Sequence, residues 1–107
     1  MEESLFKQSI VLYLINYSDY LRNAYNLIKI LSWKFNIIDF NQINKTLVEK
    51  NYMIEKVTNQ IGHYSITTSG EIFLKEHLAQ LLQELKEKYL PNDPEYIQLI
   101  MSSADSR

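Results

Sequence analysis

Asn41, Gln42, Asn44, Lys45 and Thr46 fill most of one short run of the chain, and Lys50 follows close behind. A carboxamide donates and accepts hydrogen bonds at once, which matches the N6 and N7 edge that adenine presents in the major groove of a duplex. Lysine ammonium groups pair with phosphate. The chemistry open to this run is recognition of nucleic acid rather than bond making. The same residue types also make a plainly solvated helix face, because Asn and Lys are common throughout the chain. Groups suited to catalysis are scarce. The chain has no cysteine, which removes thiolate chemistry, disulfides and the usual structural zinc sites. His63 and His77 fall on different segments, without a second ligand at His-x-x-x-His spacing, so surface or boundary positions suit them better than metal ligation. Glu84 and Glu87 pair more naturally with Lys88 or Lys86 along a helix than with each other as acid and base. The sequence holds no glycine-rich phosphate loop and no nucleophile elbow. Neither an enzyme, a cofactor nor a bound metal is expected. Eight tyrosines and Trp33 would suit an effector pocket, but at helical spacing they read as core.

The elements that must position these residues follow from hydrophobic period and capping. Phe6, Ile10, Tyr13, Leu14 and Tyr17 repeat at three and four residues and predict a first helix over about Ser4 to Tyr17. Ser18 and Asp19 can cap a second helix whose face is Leu21, Ala24, Tyr25, Ile28 and Leu31, ending near Trp33 to Asn36. Asp39 and Gln42 have the spacing of a capping box and open a third helix through about Lys50. Its buried face is Phe40, Ile43 and Leu47. Asn41, Gln42, Lys45 and Glu49 lie opposite, with Asn44 and Thr46 at the edges. Asn51 suits a left-handed cap after that helix. Two short strands rich in Ile, Val and Tyr flank a turn at Asn59 to Gly62. Thr67 or Thr68 caps a long last helix, with Thr68 and Glu71 at capping-box spacing, which Pro91 and Pro94 stop near Leu90. Glu95 to Met101 has room for a further turn or two of helix, and Ser102 to Arg107 is expected to fray.

The 107 residues support one domain, with hydrophobic and charged fractions of 46% and 22% that are those of a globular chain. Only two glycines and two prolines are present, so long helices and short connections should dominate. Glu2 and Glu3 stand where a signal peptide would be positive, and no apolar run reaches bilayer length, so a soluble cytoplasmic protein without membrane contact is expected. Asn, Ile, Lys and Tyr are abundant, and all four use AT-rich codons, as in an AT-rich genome, phage or plasmid. Net charge is −2, which argues against non-specific coating of nucleic acid. Between Arg22 and Lys56, however, six basic residues face three acidic ones, so the positive bias falls on the run described first.

Residues Asn51 to Leu74 carry the most specific pattern. Tyr64-Ser65-Ile66-Thr67-Thr68-Ser69-Gly70 fits Tyr-x-Ile-Thr-x-x-Gly followed by apolar residues, a hairpin running directly into a helix. Preceded by three helical segments, this order resembles the winged helix-turn-helix domain of bacterial PadR- and MarR-like regulators over about Ile10 to Leu85. The resemblance implies a mainly α fold with a short β-hairpin (α+β class), a winged helix-turn-helix with a long C-terminal helix. It divides the chain into residues 1–90, which include a dimerisation helix, and a tail, 91–107, holding a further short helix. It implies a third helix in the major groove of double-stranded DNA and a hairpin wing on the flanking backbone or minor groove. The DNA-binding residues would then be Asn41, Gln42, Asn44, Lys45, Thr46 and Lys50 on the helix, and Lys56, Asn59, Gln60 and His63 on the wing. With no Arg on that face, an A·T-rich repeat is the implied partner. The roles implied are transcription regulation, or centromere binding in plasmid and phage partition as in TubR-like proteins. The wing departs from the pattern, since Thr58 to Gly62 carries no cation. The alternative is a winged-helix module that holds another protein and no DNA.

Leu74, Leu78, Leu81, Leu82 and Leu85 form a stripe about two turns longer than a small winged-helix core needs. In the families named, such a helix builds a two-fold dimer that spaces two recognition helices along the duplex. The implied homodimer interface is Phe6, Ile10, Tyr13, Leu78, Leu81, Leu82 and Leu85, with Tyr96, Ile97 and Ile100 as further candidates. The alternative is that the tail folds back over these leucines within one chain.

Overall fold

The structure, a computed structural model, describes residues 1–105, with side chains through Ser102. It is mainly helical with one antiparallel hairpin, an α+β architecture. The elements are α1 (Glu3–Tyr17), a 3-10 turn (Asp19–Leu21), α2 (Ala24–Leu31), α3 (Ile37–Glu49), β1 (Met53–Thr58), β2 (Ile61–Ile66), α4 (Thr68–Glu84) and α5 (Pro94–Asp105). A π-helical segment, Leu85–Tyr89, continues α4, so the long last helix reaches its expected length. Among the described residues, no helix is long and apolar enough to cross a membrane.

The fold is organised around α1. Phe6 and every residue from Gln8 to Ile15 are buried, so the single apolar face expected from the sequence is in fact a whole circumference. A helix apolar all round must be covered all round, and α1 packs against α3, β2, α4 and α5. Its two buried polar positions differ in how they are satisfied. The Gln8 Nε2 donates to Ser4 Oγ at 3.0 Å, and Lys50 Nζ donates to Gln8 Oε1 at 3.2 Å. Ser9 Oγ has no hydrogen-bond partner. Arg22 closes the other end of α1, its Nε donating to the Ile15 carbonyl at 2.6 Å.

The second helix starts later than the sequence suggests. Asn23, not Ser18 or Asp19, is its N-cap, accepting from the Asn26 amide at 2.9 Å. Leu21 therefore lies in the preceding 3-10 turn, and the buried residues of α2 are Leu27, Ile30 and Leu31. Tyr25 is exposed and instead stacks under Lys29, whose Nζ lies 4.0 Å from the ring centroid.

The hairpin is tighter than expected. Thr58 pairs with Ile61, leaving Asn59 and Gln60 as a two-residue turn with φ of +52° and +68°, the left-handed pair of a type I′ hairpin. Asparagine tolerates that conformation, whereas glutamine does so at a cost. Gln60→Gly is accordingly expected to raise stability by about 0.5–1 kcal/mol, read as a higher urea midpoint with an unchanged slope. The free edge of β2 is not bare: the Tyr64 amide donates to the Arg22 carbonyl at 2.7 Å, and Asn23 and His63 form a single antiparallel bridge.

Asn51 takes the left-handed conformation expected of it, with φ +62°. Thr67 caps α4, its Oγ1 accepting from the Gly70 amide at 3.0 Å and donating to the Asn51 carbonyl. The Thr67 amide donates to the Tyr52 carbonyl at 3.1 Å. That same carbonyl lies where a side chain on Gly70 would begin: a Cβ there would overlap the Tyr52 oxygen and press on Ile66 at 2.8 Å. The glycine of the hairpin-to-helix motif is therefore there for close approach and not for φ.

The tail is core rather than appendage. Ile97 and Ile100 are fully buried, and Tyr13 OH donates to the Met101 carbonyl at 3.4 Å. Helix α5 runs through Asp105, so residues 102–105 are helical where fraying was expected; Ser106 and Arg107 lie outside the described residues. The division at residue 90 consequently cuts through one hydrophobic core. The residues implied for the dimer interface fall largely within the same core. Phe6, Ile10, Tyr13, Leu81 and Leu85 are all buried within the single chain, and only Leu78 and Leu82 keep partial exposure.

Candidate nucleic-acid interface

Helix α3 begins three residues before the expected cap. Asn36 Oδ1 accepts from the Asp39 amide at 2.8 Å, and the Asn36 amide donates to Asp39 Oδ2 at 3.4 Å, a reciprocal capping box with Asn36 as N-cap. Phe35 and Phe40, which flank that box at hydrophobic-staple spacing, are both buried. The expected box between Asp39 and Gln42 is absent because Asp39 already occupies the third helical position. As a consequence Ile37 and Ile38, which would have preceded a helix opened at Asp39, are its first two residues.

Phe40, Ile43 and Leu47 are buried as expected, fixing the rotation of α3. At roughly 100° per residue, the outward line then carries Ile38, Gln42, Lys45 and Glu49, with Asn41 beside it. All five are exposed. Lys45 and Glu49 approach each other only to 4.0 Å at the surface, a pairing too weak to hold the ammonium.

Three of the helix residues expected to touch DNA are engaged elsewhere. Asn44 is 6% exposed and its Nδ2 donates to Tyr64 OH at 3.1 Å, which locks α3 to the hairpin. It cannot reach a base edge from there. Thr46 spends its hydroxyl on the Gln42 carbonyl at 3.0 Å, the back-bonding usual for threonine inside a helix. Lys50 is exposed, but its ammonium ties α3 to α1 through Gln8. Burial, followed by the neighbouring Glu55 carboxylate, pushes the Tyr64 phenol well above its usual pKa. The Tyr64 hydroxyl is therefore protonated at any physiological pH.

The strand register sorts the wing residues into two faces. Lys56 lies directly opposite His63, and Glu55 opposite Tyr64. Side chains alternate across a strand, so Lys56 and His63 share one face while Glu55 and Val57 share the face that carries buried Tyr64. Gly62 leaves space on that second face, where a Cβ would stand 2.9 Å from Glu55 Oε2. Between this face, α2 and the start of α3 runs a groove of about 340 Å³, lined by Tyr25, Ile28, Ile37, Val57, Ile61 and Glu55 among others. The groove is apolar with an acidic edge. Asn59 and Gln60 stand exposed at the tip.

The arrangement brings Asn41, Gln42 and Lys45 together on one surface. It places Lys56, His63, Asn59 and Gln60 on a separate projection and withdraws Asn44. Ile38 was missed because its position on α3 becomes visible only with the cap at Asn36. Among the described residues, no group of three acidic, histidine or cysteine side chains is placed to hold a metal ion. Comparison with protein-family models, with characterised proteins and with solved structures finds no match for this chain.

Proposed function

We propose that the chain binds double-stranded DNA through the outward face of α3, as a small winged helix-turn-helix protein serving in transcription regulation or in plasmid or phage partition. The observation that carries this reading is the single exposed surface of Asn41, Gln42 and Lys45 on a helix whose opposite face is locked into the core. The order of elements supports it as well: helix, short edge segment at Asn23, two helices, hairpin, helix. So does the hairpin beside α3, on which Lys56 shares one face with His63. An inverted repeat would be met by paired copies, whose contact would draw on Leu78 and Leu82 rather than on the residues the core has taken.

The test is titration of the purified protein into fluorescent duplexes enriched from a random-sequence pool, followed by anisotropy at two salt concentrations. Asn41→Ala is expected to weaken binding by about 1–3 kcal/mol and relax preference at one base pair. Lys45→Ala should weaken all duplexes alike and lower the slope against log salt by about one. Both positions are exposed, so thermal unfolding should not change. A pool that enriches nothing, or enriched duplexes indifferent to both substitutions, would overturn the reading.

One observation favours a second reading, a module that holds another protein. The groove between α3 and the hairpin presents Tyr25, Ile37, Val57 and Ile61 as exposed apolar side chains with Glu55 at its edge, a surface that repels phosphate. Under that reading both substitutions are silent because DNA is not the ligand.

A further inference from the structure

We infer that Ile38 reads the C5-methyl group of a thymine in the major groove, working beside Asn41 and Gln42 to recognise an A·T pair from both of its strands. The inference rests on the DNA-binding reading and names what that surface selects.

Ile38 is the second residue of α3 and is 64% exposed. Local structure gives no reason for it. The polar half of the helix start is already made by Asn36 and Asp39, and the staple positions are Phe35 and Phe40. A β-branched side chain is a poorer helix former than alanine or glutamate, and the first turn of a helix favours acids over aliphatics. An exposed isoleucine here costs solvation and contributes nothing to the core.

Its position does suit a ligand. Recognition helices place their N-terminal residues against base edges, and Ile38 shares the outward line with Lys45 while lying between Asn41 and Gln42 around the helix. Thymine alone among the bases presents a methyl group in the major groove, and its adenine partner presents N6 and N7 to a carboxamide. An aliphatic side chain flanked by carboxamides therefore fits the two halves of one base pair. The absence of Arg from this face removes the usual bidentate partner for guanine, in keeping with the same preference. Ile37 is assigned differently: it lines the groove shared with Val57 and Ile61 and faces the hairpin.

The experiment takes the enriched duplexes and replaces each thymine, one at a time, with deoxyuridine, which deletes the methyl and leaves every hydrogen bond in place. At one thymine per half-site, wild-type affinity is expected to fall about fourfold, the equivalent of roughly 0.8 kcal/mol for one buried methyl. Ile38→Ala should lose about as much on the thymine duplex and show no further loss on the deoxyuridine duplex. It should melt at the wild-type temperature or slightly above, which keeps folding out of the comparison. Full affinity for every deoxyuridine duplex, or a methyl effect that persists undiminished in Ile38→Ala, overturns the inference and leaves DNA binding standing. If no duplex is enriched at all, the underlying reading fails and takes this one with it.

Discussion

Gly70→Ala is expected to cost about 3 kcal/mol of folding stability, at the upper end for one added methyl group. The size of the effect comes from what the new Cβ would meet. The obstruction is the Tyr52 carbonyl oxygen, with the Ile66 side chain behind it. Backbone cannot step aside as a side chain can. That carbonyl is also held in place, because it accepts from the Thr67 amide at 3.1 Å while Thr67 caps α4 and bonds the Asn51 carbonyl. Moving Tyr52 would disturb the cap of α4 and the start of β1 together. Chemical denaturation checks the expectation, with Ser69→Ala at the exposed neighbouring position as the control that should be nearly silent. A loss below about 1 kcal/mol would mean that the close approach is not required.

Ile97→Ala should cost a similar amount, about 3 kcal/mol, because a fully buried isoleucine truncated to alanine loses both its transfer energy and its packing. Ile97 belongs to the tail, and it is completely inaccessible in the single chain. Leu99→Ala, two residues on and 56% exposed, should change stability by no more than about 0.5 kcal/mol. The contrast decides whether residues beyond Leu90 belong to the fold. Equal, small losses at the two positions would show that the tail rests loosely on the rest of the chain. A large loss at Ile97 that grows smaller with rising protein concentration would instead show that a second copy supplies the cover.

Hydrophobic period located the first four helices, and the strand assignment followed from Ile, Val and Tyr between turn residues. The left-handed conformation at Asn51 was legible because few residue types serve that position, whereas the cap of α4 was narrowed only to Thr67 or Thr68, and the structure selects Thr67. The cap of α3 was not legible. Asn36 with Asp39 and Asp39 with Gln42 both satisfy the capping pattern, and nothing in the spacing ranks them; the buried pair Phe35 and Phe40 does. The leucine stripe shows the same limit from another side. A stripe reports that a face is covered and is silent on whether the cover is a second copy or the chain's own later residues. Here the main cover is an earlier part of the same chain, since α4 packs against α1 while α5 packs against α1 and the Leu85–Tyr89 segment.

For the candidate site, the outward residues Asn41, Gln42 and Lys45 follow directly from the buried residues Phe40, Ile43 and Leu47. Asn44 could not be placed from that period alone. It sits at the margin of the buried face, and its fate depends on Tyr64, twenty positions later in the chain, arriving to bond it. The hairpin faces were equally hidden until the turn shortened to two residues. That register puts Glu55 and Val57 on the side of Tyr64 and leaves Lys56 with His63 on the other.

The burial of α1 has a consequence for how the chain is made. This helix is synthesised first, yet the segments that cover it include α4 and α5, which are synthesised last. At the pace of translation, roughly 5–20 residues per second, the interval between them is on the order of 5–15 seconds. During that time the nascent chain carries the apolar run from Ile10 to Ile15 without its final cover. Burial of that run is completed only when α4 and α5 arrive to pack against it.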